Sequence, residues 1–92
     1  MEKNVIIQYI RDEEKNPFGV VVAEGRNEIG FSLCNPVDHW NRNIGLDIAF
    51  GRAEKKSVSE QLQDISIHNS EKRQKVHNII RTVQERAKKY FK

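Results

Sequence analysis

Residues 4–11 are mostly apolar, with Val5, Ile7 and Tyr9 on one side of an extended chain and Ile6, Gln8 and Ile10 on the other. β-Branched and aromatic side chains dominate the stretch, so it reads as a strand. A charged segment ending at Pro17 calls for a turn. The run 18–23 that follows is apolar at nearly every position, the pattern of a strand covered on both faces. Glycine and asparagine in 24–27 predict a hairpin loop. A third strand over 28–33 places Ile29, Phe31 and Leu33 on one face and Gly30 and Ser32, followed by Cys34, on the other. Three consecutive strands with short turns predict an antiparallel meander.

The pattern then changes period. Asn35 is an N-cap candidate, Pro36 suits a first helical position, and Asp38 favours the positive end of a helix dipole, so a short helix is expected to begin there. Asn41, Asn43 and Gly45 predict its early end. Helical spacing resumes over 46–56, and Gly45, Ala49 and Ala53 form a small-residue stripe against which something must pack closely. Residues 57–68 are ambiguous: Val58, Leu62 and Ile65 fit a helix, whereas 64–68 alternates like an edge strand, which is the reading adopted. From a cap at Asn69 or Ser70, one stripe of Val76, Ile79, Ile80, Val83, Ala87, Tyr90 and Phe91 predicts a long amphipathic helix that covers the sheet. The fold class is therefore α+β: a three- to four-stranded antiparallel β-meander followed by a short helix and a long C-terminal amphipathic helix. A single domain over 1–92 is expected, divided into meander (1–34), helical box (35–56), connector or edge strand (57–69) and C-terminal helix (70–92).

Size and charge sharpen the picture. Ninety-two residues with seven aromatics support only a small core, which makes a homo-oligomer the default expectation. No apolar run approaches a bilayer span and the N-terminal stretch lacks a signal-peptide pattern, so no membrane association and a cytoplasmic location are expected. A lone cysteine, Cys34, excludes an internal disulfide. Residues 70–92 carry eight bases against two acids, a net +6, while the rest of the chain sums to -3. Such a basic helix suits an anion, an acidic surface of another subunit, or solvent.

Little in the chain points to catalysis. His39, His68 and His77 are scattered without metal-ligand spacing, the glycines form no phosphate loop, and the carboxylates of 12–14 sit in a charged turn. Asp38 is explained by capping. No metal, cofactor or catalytic residue is expected, and the chain is read as a non-enzyme. The densest chemistry lies in 34–52, where the only tryptophan, Trp40, stands among Asn35, Asp38, Asn41, Arg42, Asn43 and Arg52. An indole stacks on a ring, a guanidinium forks onto phosphate, and an asparagine amide both donates and accepts. These seven residues are the candidate ligand-binding set.

The run from Gly30 to Ala53 resembles a box found in small phage and prophage proteins: glycine, aromatic, Ser-Leu-Cys-Asn, then an aspartate and an aromatic, and later Gly-x-x-Ile-Ala-x-Gly-Arg-Ala. Gly30, Ser32, Leu33, Cys34, Asn35, Asp38, Trp40, Gly45, Ile48, Ala49, Gly51, Arg52 and Ala53 match it. Arg42 or Asn43 stands where a lysine is usual. The resemblance implies a phage origin and, by outline alone, similarity to sponges that sequester nucleotide signals of host immunity. The leading expectation is a non-enzymatic binding protein in the host cytoplasm, holding a phosphate-bearing small molecule between subunits. A nucleic-acid-binding module using the basic C-terminal helix is the alternative, with a protein-directed inhibitor of a host enzyme behind it.

Overall fold

The computed structural model describes residues 4–34, 39–63 and 70–91, with the side chain of Ser70 excepted. Three strands, β1 (Ile6–Arg11), β2 (Pro17–Ala23) and β3 (Ile29–Leu33), form an antiparallel sheet in the order β1-β2-β3. The meander is as the three strand-like segments and their short turns predict. Tyr9 pairs with Val20 and Val21 with Phe31, and a register shift at Ile10/Arg11 marks the end of the first hairpin. In that turn the Asp12 carboxylate accepts from the backbone N–H groups of Glu14 and Asn16, at 3.0 and 2.9 Å. Such a side-chain turn lets Lys15 sit at φ 68 without a glycine.

Among the described residues three helices follow: α1 (Arg42–Lys55), α2 (Val58–Gln63) and α3 (Ser70–Tyr90). They cover both faces of the sheet. On one face Ile6, Ile10, Val21, Ala23, Ile29 and Phe31 pack with Val76, Ile80, Val83 and Ala87 of α3, joined by Val58 and Leu62 of α2. On the other, Val20 and Val22 meet Ala49 and Ala53 of α1, bordered by Tyr9, Trp40, Leu46 and Phe50. Central β2 is enclosed from both sides, and its residues Val20 to Ala23 are fully buried. That is why the valine run shows no alternation. The stripe of α3 is buried as expected at Val76, Ile80, Val83 and Ala87, but Tyr90 lies outside it, 55% exposed.

Two helical expectations are corrected. Asn41, Asn43 and Gly45 do not end a helix: Asn41 caps α1, and Asn43 and Gly45 lie in its first turn. The expected start at Asn35 falls outside the described residues. Residues 58–63 of the expected connector or edge strand are helical, as the spacing of Val58 and Leu62 also allowed, because both have a core to pack against. The edge strand expected at 64–68 lies outside the described residues.

The small-residue stripe has the close neighbour it called for. Gly45, Ala49 and Ala53 are the buried residues of α1; β3 presses on Ala49 and Ala53 at Gly30, and Trp40 lies against Gly45. Gly51 differs: a Cβ there would meet nothing within 4 Å. A glycine inside a helix costs about 0.5–1 kcal/mol relative to alanine. Gly51→Ala should therefore raise the melting temperature by roughly 2–8 °C for a chain of this size. Thermal denaturation checks this, and an unchanged or lower midpoint would contradict it.

Candidate functional site

The box predicted from the sequence folds around the N-terminal end of α1. Asn41 stands in an extended conformation and its side-chain oxygen accepts from Ile44 N–H at 3.1 Å, satisfying one of the helix's orphan donors. Gly45 then makes room for Trp40. A Cβ at Gly45 would lie 2.6 Å from the indole Cη2, so the ring rests directly on the first turn. Tyr9 meets the same ring edge-on, with centroids 6.5 Å apart. From the sheet, Ser32 Oγ donates to the Gly45 carbonyl at 2.8 Å and ties β3 to the helix end.

These contacts leave a groove of about 480 Å³ lined by Ser32, Leu33, Cys34, His39, Trp40, Asn41, Ile44, Gly45 and Ile48. Ile44 and Ile48 form its outer rim at 58% and 42% exposure. With Arg52 they recur at i, i+4 and i+8, so all three share one flank of α1. Arg52 Nη1 donates to the Phe31 carbonyl at 3.0 Å, which fixes the guanidinium at the edge of β3, one residue from Ser32 of the groove wall. One of the five guanidinium donors is thereby committed. The first turn of α1 carries no acid to offset the positive end of the helix dipole.

The seven candidate residues thus separate. Trp40 and Asn41 line the groove and Arg52 stands on its flank. Arg42 and Asn43 are exposed on the first turn of α1 but do not line it. By helical spacing Arg42 lies about 200° around α1 from Ile44, on the side of Leu46. Asn35 and Asp38 lie outside the described residues. Every described residue that lines the groove comes from one protomer. Sequence reasoning missed His39, Ile44 and Ile48 as lining residues.

It also missed Gln61. This residue of α2 is 3% exposed and reaches the open edge of β3. Its Oε1 accepts from Phe31 N–H at 2.9 Å, and its Nε2 donates to the carbonyls of Ile29, Lys56 and Ser57 at 2.9, 3.2 and 3.3 Å. Gln61 and Arg52 together do for β3 what a fourth strand would do, closing the edge next to the groove.

The basic helix presents two different flanks. Lys72 and Lys75 border the acidic turn of Asp12, Glu13 and Glu14, where charges of both signs meet. The opposite flank carries Arg73, His77, Arg81 and Lys88, all exposed. Among the described residues there is no group of three or more His, Cys, Asp or Glu that could hold a metal ion, and no helix is long and apolar enough to cross a membrane. Comparison with family models, curated proteins and solved structures gives no significant match.

Proposed function

We propose that this chain is a non-enzymatic binding protein that takes a phosphate-bearing, ring-containing small molecule of the nucleotide class into the groove beside Trp40. The observation that carries the reading is the alignment of a half-buried indole, an apolar rim and an anchored arginine along one flank of α1. The indole offers a face for a base. Arg52, held by Phe31, is a guanidinium that can fork onto phosphate. At 1.5 Å per residue, Ile44 and Arg52 are about 12 Å apart along the helix, a span suited to a nucleotide lying lengthwise. The resemblance of the box to phage and prophage proteins fits capture without turnover, as in sequestration of a nucleotide-derived signal.

Isothermal titration against a panel of cyclic dinucleotides and ADP-ribose derivatives tests the reading. At least one compound should bind, Arg52→Ala should weaken it about tenfold or more, as expected for a lost charge-assisted hydrogen bond of about 1.5–3 kcal/mol, and Arg42→Ala should leave it nearly unchanged. No heat from any compound, or binding indifferent to Arg52, would contradict the proposal.

A further inference from the structure

The two edges of the sheet are finished differently, and the difference identifies a partner. Along β3 the outward backbone groups belong to Ile29 and Phe31, since Gln61 and Arg52 reach them from outside the sheet. In an antiparallel ladder the N–H and C=O of one residue point the same way and alternate along the strand. Gly30 and Ser32 therefore face their partners Val22 and Val20 on β2, and Val21 and Ala23 face β1. Their partners there are Gln8 and Ile6, which leaves Ile7 and Tyr9 with both backbone groups directed outward. Among the described residues, Gln8 Nε2 approaches the Tyr9 carbonyl at 3.5 Å, the outer limit of a hydrogen bond. β1 itself contains no proline or lysine, Arg86 Nη1 donates to Gln8 Oε1 at 3.4 Å rather than to the strand backbone, and the Ile7 side chain is 39% exposed.

We infer that β1 pairs antiparallel with β1 of a second copy about a two-fold axis at Gln8, joining two sheets into one of six strands. A two-fold axis perpendicular to the sheet keeps each face on its own side, so residues facing each other across it must be separated by an even number. Centring on Gln8 sets Ile7 opposite Tyr9 of the second copy and uses all four outward groups of each strand. The same register places an aliphatic residue against an aromatic one on one face and Ile6 against Ile10 on the other.

Charge selects the same partner. β1 runs into the acidic turn of Asp12, Glu13 and Glu14, while Arg86 and Lys89 of α3 lie beside Val5 and Ile7 at its other end. Reversing the strand brings the acidic turn of each copy to the basic end of the other, twice by symmetry. The interface lies at the edge of the sheet away from Gln61 and Arg52. It is independent of the proposed ligand, and the groove remains open in both copies.

Sedimentation of the 92-residue chain at micromolar concentration should give twice the 10.8 kDa protomer mass. Ile7→Pro, which removes an outward N–H, and Ile7→Lys, which sets a charge against Tyr9 of the second copy, should each return the single-protomer mass with the circular dichroism spectrum retained. In a Cys34→Ser background, oxidation should cross-link Gln8→Cys at least tenfold faster than Ile7→Cys or Tyr9→Cys. A single protomer at all concentrations, a dimer that survives both Ile7 variants, or faster cross-linking at position 7 or 9 would overturn the inference.

Discussion

Replacing Gly30 by alanine should cost this protein about 3 kcal/mol or more, a large part of the roughly 5–14 kcal/mol available to a chain of this length. A Cβ at Gly30 would overlap the carbonyl oxygen of Ala49 and lie 2.5 Å from Ala53 N and 3.0 Å from Ala53 Cα. All three are backbone atoms of α1, so no rotamer change relieves the clash. The helix would have to lift from β3, and with it the packing of Ala49 and Ala53 on Val20 and Val22. Shortening Ala49 or Ala53 to glycine cannot compensate, because their side chains are not what collides. Thermal melts should show Gly30→Ala lowered by more than about 10 °C and Gly30→Val lowered further or unfolded. A midpoint for Gly30→Ala within about 3 °C of the native chain would contradict the close approach of β3 and α1.

Gln61→Leu should be the second most damaging change, at about 2–4 kcal/mol. Leucine keeps much of the volume but leaves Phe31 N–H and the Ile29 carbonyl without their side-chain partner, and each buried orphan costs about 1–3 kcal/mol. It also reopens the edge of β3, so aggregation on heating is expected alongside the loss of stability. Gln61→Glu adds a diagnostic pH dependence. A protonated carboxyl can still donate to one neighbour and accept from another, whereas a buried carboxylate only accepts. Burial raises the carboxyl pKa in the folded state above its unfolded value of about 4.3. Stability of Gln61→Glu is therefore retained below that value and lost as pH rises through the folded pKa. Urea denaturation at about pH 4 and pH 7 separates the cases. Equal stability of Gln61→Leu and the native protein, or a Gln61→Glu variant more stable at the higher pH, would contradict this account of the edge.

These two residues mark where the sequence can and cannot be read. Strand period, the proline after the charged turn and the apolar run of β2 are local signals, and they lead to the three-stranded meander and its faces. The stripe of Val76, Ile80, Val83 and Ala87 likewise leads to α3. Gly45, Ala49 and Ala53 announce a close neighbour, but only the fold reveals it to be Gly30 for Ala49 and Ala53 and Trp40 for Gly45. The start of α1 was obscured because asparagine and glycine carry loop propensity. Here Asn41 serves as a cap, and Gly45 is small because Trp40 lies on it. Gln61 left no signal, since its partners Ile29 and Phe31 lie some thirty residues away and no period links a glutamine to a strand edge.

The candidate site is legible to a similar degree. Residue chemistry singled out the segment around Trp40, and the groove forms there. It did not separate Arg52 from Arg42, because that distinction rests on which flank of α1 each occupies. Nor did it identify Ile44 and Ile48, which in a sequence look like core positions and in the fold stand at 58% and 42% exposure.

Trp40 is the only indole in the chain, so its fluorescence reports on the groove alone. Titration with the nucleotide-class panel should give a saturable change in emission for at least one compound, with the curve shifted to about tenfold higher concentration in Arg52→Ala. Emission that stays flat across the panel, or a response that Arg52→Ala leaves in place, would contradict a ligand lying between Trp40 and Arg52.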